Sequence, residues 1–161
     1  MQFVKFTQAA ILLFVGSAAL PLSGAQTYTV LYTFQGGTDG ALPFGGLIRD
    51  SAGNLYGTTA GFMAGTTMGS VFRLSPSGKF KVLYNFGTGS TGGAASYAAL
   101  VRDANDNLYG TTALGGSSNQ GTIFKLDNSG TFTVLHNFSG YKDGSGPAAP
   151  MILDPLAIYM G

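Results

Sequence analysis

Few side chains in this sequence are able to perform acid–base or nucleophilic chemistry. His136 is the only histidine, the acidic residues are seven aspartates without a glutamate, and cysteine is absent. A Ser–His–Asp triad or a histidine metal site needs further residues at suitable spacing, and none accompanies His136 in the sequence. No serine lies in a Gly-x-Ser-x-Gly elbow, and the scattered aspartates do not suggest a dedicated acid–base pair. We therefore predict no catalytic residue.

Two stretches imitate ligand-binding motifs. The residues from Gly87 to Gly92 follow the pattern G-x-G-x-x-G, but a dinucleotide site needs a helix directly afterwards, and the next residues favour a strand. The residues from Asp103 to Asn107 imitate the opening of a calcium loop, but Leu108 stands where that loop needs glycine and Leu114 where it needs a bidentate acid. We interpret the first stretch as a glycine-rich loop and the second as a hairpin turn. No cofactor-binding or metal-binding residue is predicted.

Internal repeats determine where these residues lie. The stretch Asn-Leu-Tyr-Gly-Thr-Thr at 54–59 returns unchanged at 107–112. Val-Leu-Tyr-x-Phe, starting at Val30, recurs from Val82 and then, with histidine in place of tyrosine, from Val134. The steps are 82 − 30 = 52 and 134 − 82 = 52 residues. An internal period near 50 residues indicates a repeat architecture.

The repeats suggest structural roles for the aromatic candidates. His136 takes the place of Tyr32 and Tyr84, so we expect it to fill an aromatic position in a strand. Tyr56 and Tyr109 recur in positions from which they would stack on a ligand such as a sugar. Packing between repeats is the more economical interpretation for these two tyrosines.

Each period predicts four short strands joined by glycine-rich loops. β-Branched and aromatic residues favour strands, and the residues between them favour tight turns. In the first repeat the predicted strands are Thr27 to Phe34, Gly46 to Asp50, Asn54 to Thr59 and Ser70 to Leu74. The short turn before Asn54 predicts a hairpin between the second and third of these. No helical periodicity is present after Ala25.

The predicted fold class is all-β, with tandem four-stranded antiparallel blades of about 52 residues in an incomplete β-propeller-like array. The nearly continuous apolar run Val-Leu-Tyr-x-Phe is typical of a sheet covered on both faces. Gly57 and Gly110, each inside a strand, indicate close backbone approach. A β-solenoid or an open meander is the structural alternative.

The N-terminal residues are typical of a secretory signal peptide. Lys5 gives a basic start, Ala9 to Leu22 is mostly apolar, and Ser23-Gly24-Ala25 is a small-residue cleavage site. The apolar run is shorter than the roughly 20 residues of a spanning helix, so we expect a secreted or cell-surface protein without a membrane span in the mature chain. Removing 25 of 161 residues leaves 136, with net charge near zero, which argues against nucleic-acid binding.

The domain organisation that follows is residues 1–25 as signal peptide, 26–79 as first repeat, 80–131 as second repeat and 132–161 as a truncated third repeat. The 136 residues after the leader hold about 2.6 repeats, whereas closed propellers use roughly 4–8 blades. An unclosed array exposes strand edges, which favour self-association.

The third repeat departs from the pattern after Asp154. Where the first repeat continues from Ser51 to Gly57, the chain here runs Pro-Leu-Ala-Ile-Tyr-Met-Gly at 155–161. Deleting one nucleotide from a sequence that encodes Ser-Ala-Gly-Asn-Leu-Tyr-Gly produces this heptapeptide. Our hypothesis is a frameshift, real or introduced by sequencing, that ends a longer repeat protein. The alternative is ordinary drift in a terminal repeat.

The repeated unit resembles the GloVer (Gloeo/Verruco) tandem-repeat family of exported bacterial proteins. The resemblance is carried by Val-Leu-Tyr-x-Phe, Leu-Ile/Val-Arg-Asp, Asn-Leu-Tyr-Gly-Thr-Thr and Val/Ile-Phe-Arg/Lys-Leu, and it covers the chain from Thr27 to Asp154. Members look like long arrays of such units, often with a C-terminal surface anchor. The resemblance implies no defined activity and no catalytic residues.

Two classes of function remain open, beside a third possibility that this fragment has no activity of its own. The first is a non-enzymatic exported repeat module that serves as a scaffold or binding surface for an unknown protein or polysaccharide. The second is part of a propeller-type enzyme, a lyase or hydrolase acting on polysaccharide. Enzymes break repeat symmetry with a cluster of functional residues, whereas the two full copies here differ mainly in small loop residues. We therefore expect the non-enzymatic module, without a cofactor.

Overall fold

The computed structural model describes residues 2–7, 27–61, 68–87 and 92–154. Within these ranges all regular secondary structure is β-strand. They contain no helix that is long and apolar enough to cross a membrane. The chain divides into two compact units, with residues 2–33 in one and the residues from Phe34 onward in the other, and each unit is described by itself.

The smaller unit is a two-stranded antiparallel ribbon. Strand β1 (Gln2–Thr7) pairs with β2 (Thr27–Thr33), and Thr7 lies opposite Thr27. β1 belongs to the segment predicted as the start of the leader. The apolar run and the cleavage site after Ala25 lie outside the described residues. Export and cleavage therefore stay predictions.

The first blade is a four-stranded antiparallel sheet in which each strand pairs with the next one along the chain. Tight turns join the first strand to the second and the third to the fourth, and Gly53 and Gly78 in these turns supply the left-handed backbone (φ +85° and +82°) that other residues adopt only at a cost. Neighbours in sequence are therefore neighbours in the sheet. The strands are β3 (Ile48–Arg49), β4 (Leu55–Thr59), β5 (Ser70–Leu74) and β6 (Phe80–Asn85).

The second blade repeats the first in strand order and register. Gly110 lies opposite Phe124 on the neighbouring strand, as Gly57 lies opposite Phe72 in the first blade. The predicted all-β fold of tandem four-stranded antiparallel blades is thereby confirmed, as an incomplete propeller-like array. The strands are β7 (Val101–Arg102), β8 (Leu108–Thr112), β9 (Thr122–Leu126) and β10 (Phe132–Asn137).

The sheets are offset from the sequence repeats. The boundary between residues 79 and 80 falls between β5 and β6, which pair in the first sheet. The boundary between residues 131 and 132 likewise falls between the paired strands β9 and β10. The second and third repeats therefore each contribute their first strand to the blade before them. Main-chain hydrogen bonds in the sheet thus connect successive repeats.

The last strand of each blade carries a β-bulge, and the bulge has the same position in both repeats. In β6 the extra residue is Leu83, between the partners of Phe72 and Val71. In β10 it is Leu135. A bulge bends its strand and re-aims the side chains around it. In the first blade this orientation suits packing between blades, because Leu83 is half-buried against the hydrophobic core.

The two blades share one hydrophobic core. Phe86, at the end of the first blade, is fully buried and lies edge-on to Phe124 with a centroid distance of 5.5 Å. Tyr84 stacks on Phe132 of the second blade at 3.9 Å with 5° between the rings. Burying an aromatic side chain contributes about 1.5–3 kcal/mol, so these contacts stabilise the pair of blades. The core cluster is Val71, Phe86, Leu100, Leu108, Phe124 and Leu126.

The glycines inside β4 and β8 are required by this packing. A Cβ atom on Gly57 would lie 2.7 Å from the Phe72 ring, and one on Gly110 would lie 2.6 Å from the Phe124 ring. Real Cβ atoms do not approach neighbours so closely. The close approach predicted at both glycines is therefore confirmed, and the neighbours are a phenylalanine ring on the adjacent strand and a leucine side chain, Leu47 or Leu100.

Candidate functional site

Asp50 organises the turn between β3 and β4. Its carboxylate accepts hydrogen bonds from the main-chain N–H of Asn54 (2.8 Å), from Asn54 Nδ2 (2.8 Å) and from the Tyr56 hydroxyl (3.1 Å). The side-chain bond from Asn54 is the main cause that lowers the pKa of Asp50. We call these three residues the first bracket. The bracket ties the turn to strand β4.

Asp103 forms a second bracket with the same geometry. It accepts from the Asn107 main-chain N–H (2.9 Å), Asn107 Nδ2 (2.7 Å), the Tyr109 hydroxyl (3.0 Å) and the Asn105 N–H (2.9 Å). Burial opposes ionisation, but these hydrogen bonds together outweigh it and lower the pKa of Asp103. A cation would have to displace these donors from the Asp103 carboxylate. The stretch that imitates a calcium loop is therefore the expected hairpin turn.

The aspartates of the described ranges form no metal-binding cluster. Within residues 2–7, 27–61, 68–87 and 92–154, no three His, Cys, Asp or Glu side chains come together in a group able to hold a metal ion. The carboxylates of Asp50 and Asp103 are instead surrounded by N–H and O–H donors. Their arrangement is that of a turn, in which the carboxylate serves as an acceptor for the chain itself.

The two repeated tyrosines are fixed through their hydroxyl groups. Burial, followed by the hydrogen bond to the bracket aspartate, raises the pKa of both Tyr56 and Tyr109. Lys125 Nζ also lies 6.0 Å from the centroid of the Tyr109 ring. Sequence reasoning weighed sugar stacking against packing and missed the hydrogen bond. The spacing Asp-x-x-x-Asn-x-Tyr, present in both copies, was the available signal.

An open cleft lies where equivalent segments of three repeats meet. Its volume is about 490 Å³. β3 and β7 contribute the same position of the repeat, and residues 151–153 of the third copy contribute the corresponding segment. We call this the inner cleft. It is lined by Ile48, Arg49, Leu100, Val101, Arg102, Met151, Ile152 and Leu153.

The two guanidinium groups of the inner cleft differ in their partners. Arg102 pairs with Asp106, while its buried Nε has no hydrogen-bond partner among the described residues. Arg49 is exposed and forms no salt bridge within the described part of the chain. In the third copy Leu153 takes the arginine position. An apolar wall beside a guanidinium suits a ligand with an apolar face and oxygen acceptors, such as a sugar ring or a peptide.

His136 belongs to a small polar cluster at the end of β10. Its Nε2 lies 2.8 Å from Asp143 Oδ2, while the Ser139 hydroxyl donates to Asp143 Oδ1 at 2.6 Å. The bonds from Ser139 are the main cause that lowers the pKa of Asp143 to about 2. The aspartate lies between the other two groups, so the serine lacks the histidine base that a nucleophilic triad requires. Sequence spacing had not linked His136 to these residues.

The G-x-G-x-x-G stretch lies mostly outside the described residues, because residues 88–91 are not described. From Gly92 to Leu100 the chain forms no helix, and it continues into strand β7. The helix required for a dinucleotide site is therefore not found in the described residues after this stretch.

Comparison with known proteins identifies one family. The model for the Gloeobacter/Verrucomicrobia repeat matches residues 20–160. No curated protein and no solved structure matches the chain.

Proposed function

Because this chain belongs to the Gloeobacter/Verrucomicrobia repeat family, we propose that it is a non-enzymatic exported repeat module. In this proposal the blades form a scaffold, and the inner cleft with its surrounding loops offers a binding surface for a protein or a polysaccharide. Neither a cofactor nor a nucleic acid takes part.

One observation carries the proposal: the carboxylates at the turn that both blades share are engaged in holding the fold. The carboxylates of Asp50 and Asp103 each accept bonds from an asparagine and a tyrosine of their own hairpin. Inside the second blade, the buried hydroxyls of Thr112 and Thr122 bond each other at 2.8 Å. Groups that are satisfied internally are structural, whereas catalysis requires groups directed at a substrate.

A titration with oligosaccharides and peptides tests the binding role. We expect saturable binding to the full chain, weakened about tenfold or more by Arg49→Ala, because one charge-assisted hydrogen bond contributes about 1.5–3 kcal/mol. Lys81→Ala is the matched control, since Lys81 lies on β6, at the opposite edge of the sheet from β3. Equal effects of the two variants, or no binding by any probe, would contradict the assignment of the inner cleft.

A propeller-type lyase or hydrolase acting on polysaccharide is the alternative function. The cluster of His136, Ser139 and Asp143 is the observation that favours this alternative, because His136 breaks the repeat pattern. Incubation of the full chain with polysaccharides, followed by measurement of new reducing ends, separates the two functions. Product formation that His136→Ala abolishes would establish the enzyme and refute the non-enzymatic module.

Export and self-association form the remaining part of the proposal. We infer that the mature protein begins at Gln26, which N-terminal sequencing of secreted material would test. Among the described strands, β10 pairs only with β9, so its other edge supports association through unpaired main-chain groups. Sedimentation at increasing concentration would detect such association, and a constant monomer would argue against it.

A further inference from the structure

We propose that the outer face of the second blade is a docking surface for a further four-stranded blade of this same repeat, joined in register after Asp154. The outer face is defined as Leu135, His136 and Phe138. The contact between the two existing blades supplies the template, because Leu83, Tyr84 and Phe86 of the first blade occupy the same three positions and pack in the core that the two blades share. The proposal goes beyond ligand binding and concerns how blades are added.

The template contact has a donor side and an acceptor side. On the donor side, Tyr84 stacks on Phe132 at 3.9 Å, and Phe86 lies edge-on to Phe124 at 5.5 Å. On the acceptor side, Phe124 and Phe132 stack on each other at 5.3 Å. Docking of one blade on the next therefore consists of two aromatic side chains meeting a phenylalanine pair.

The acceptor pair belongs to the repeat and is not peculiar to one blade. In the first blade Phe72 and Phe80 stack at 5.3 Å with 28° between the rings, compared with 26° in the second blade. Phe34 lies edge-on to Phe72 at 68°, the same angle as between Phe86 and Phe124. Any blade of this repeat with the phenylalanine pair thus offers the same acceptor.

The outer face already has the donor geometry. The bulge at Leu135 reproduces the one at Leu83, so the backbone of β10 follows that of β6. Phe138 has the position of Phe86, and His136 that of Tyr84. Leu135 is 53% exposed, whereas Leu83 is half-buried against the core. The covering blade accounts for this difference in burial.

The chain after β10 follows the path that joins the first two blades. Ala95 donates its N–H to Met68 O at 2.9 Å, and Gly146 donates to Gln120 O at 2.8 Å in the equivalent place. The left-handed φ of +56° at Ala95 likewise recurs as +59° at Gly146. This path leads residues 151–153 to the inner cleft, where the equivalents of Ile152 and Leu153 in the second blade form β7. The first strand position of a further blade is therefore already in place.

An extended chain tests the proposal. Residues 155–161 are replaced by a copy of residues 104–154, in which the histidine of the copy is changed to tyrosine, so that His136 stays the only histidine. We expect modification of His136 by diethyl pyrocarbonate to slow about tenfold relative to the original chain, the factor that corresponds to about 1.4 kcal/mol of docking free energy. We also expect Phe138→Ala to lower the unfolding midpoint of the extended chain as much as Phe86→Ala does.

The control is the same extended chain with the copies of Phe124 and Phe132 changed to serine, in which His136 should react at its original rate. Unchanged reactivity of His136 in the extended chain would overturn the proposal. This holds both if the added repeat resists protease, and is therefore folded, and if protease digests it. Protection of His136 in the original chain that grows with concentration would also overturn it, because the face would then pair with a second copy.

Discussion

Phe86→Ala should remove the centre of the contact between the blades. Phe86 is fully buried, and its ring lies 5.5 Å from that of Phe124 and 6.0 Å from that of Phe132. Deleting a buried phenylalanine leaves a cavity in addition to the lost transfer free energy and costs about 3–5 kcal/mol. Because small domains are stable by only about 5–15 kcal/mol, we expect a large fall in the unfolding free energy.

Phe138→Ala is the matched control, because the same repeat position there is only half-buried. Its ring contacts that of His136, with a centroid distance of 4.9 Å. Partial burial predicts a cost of about 1–2 kcal/mol. Urea unfolding followed by circular dichroism measures both variants, and an unchanged m-value would show that stability alone has changed. Equal costs for the two variants, or a cost below about 1 kcal/mol for Phe86→Ala, would refute the reasoning.

Three further predictions test other parts of the fold. Gly110→Ala should cost about 1–3 kcal/mol in urea unfolding, because its Cβ would meet the neighbouring ring, whereas Gly37→Ala, with open space around the Cβ, should cost less than about 1 kcal/mol. Hydrogen bonds hold the pKa of Asp103 below its ordinary 3.8, so its stabilisation is present above pH 3.8 and is lost as the pH falls through the lowered pKa. Asp103→Asn should flatten the acid limb of a stability–pH curve, and an unchanged limb would argue against the bracket. Thr58→Val should cost about 1 kcal/mol in unfolding free energy, because the buried Thr58 hydroxyl donates to a main-chain carbonyl. Thr111→Val should be neutral or stabilising, because the buried Thr111 Oγ1 has no partner among the described residues. A larger cost for Thr111→Val than for Thr58→Val would contradict this reasoning.

Strands β2 to β10 and their order along the chain were predictable from the sequence, whereas β1, in the predicted leader, was not. β-Branched and aromatic runs alternate with turn residues at a fixed period, and both copies must adopt the same local structure if they are to form equivalent sheets. Gly57 and Gly110 likewise predicted close approach, because a glycine weakens a strand interior and is placed there mainly where a neighbour leaves no room for a side chain. The partner ring could not be named in advance, since it lies on the neighbouring strand and depends on the register.

The apolar run in β6 shows where the pattern predicted only part of the local structure. Consecutive apolar residues at Val82, Leu83 and Tyr84 indicated a sheet covered on both faces. The structure adds a bulge at Leu83 within this run. A bulge inserts one extra residue into a strand, and a run of consecutive apolar residues does not show which of them is the extra one.

The offset between blades and repeats was also beyond the sequence. A period can be divided at any point, and only the pairing of β6 with β5 shows that each repeat gives its first strand to the preceding blade. The cluster around Asp143 was missed for a related reason. His136 was matched to a tyrosine position, and its hydrogen bond to Asp143 depends on the path of the loop after β10.

The central claim is that successive blades of this repeat pack on one another through a shared aromatic contact. A nuclear Overhauser spectrum of the full chain, with assigned aromatic protons, tests it most directly. The account predicts strong cross-peaks between the rings of Tyr84 and Phe132, which belong to different blades and whose centroids lie 3.9 Å apart. Cross-peaks within each blade, such as Phe72 to Phe80, without any between the blades would contradict it.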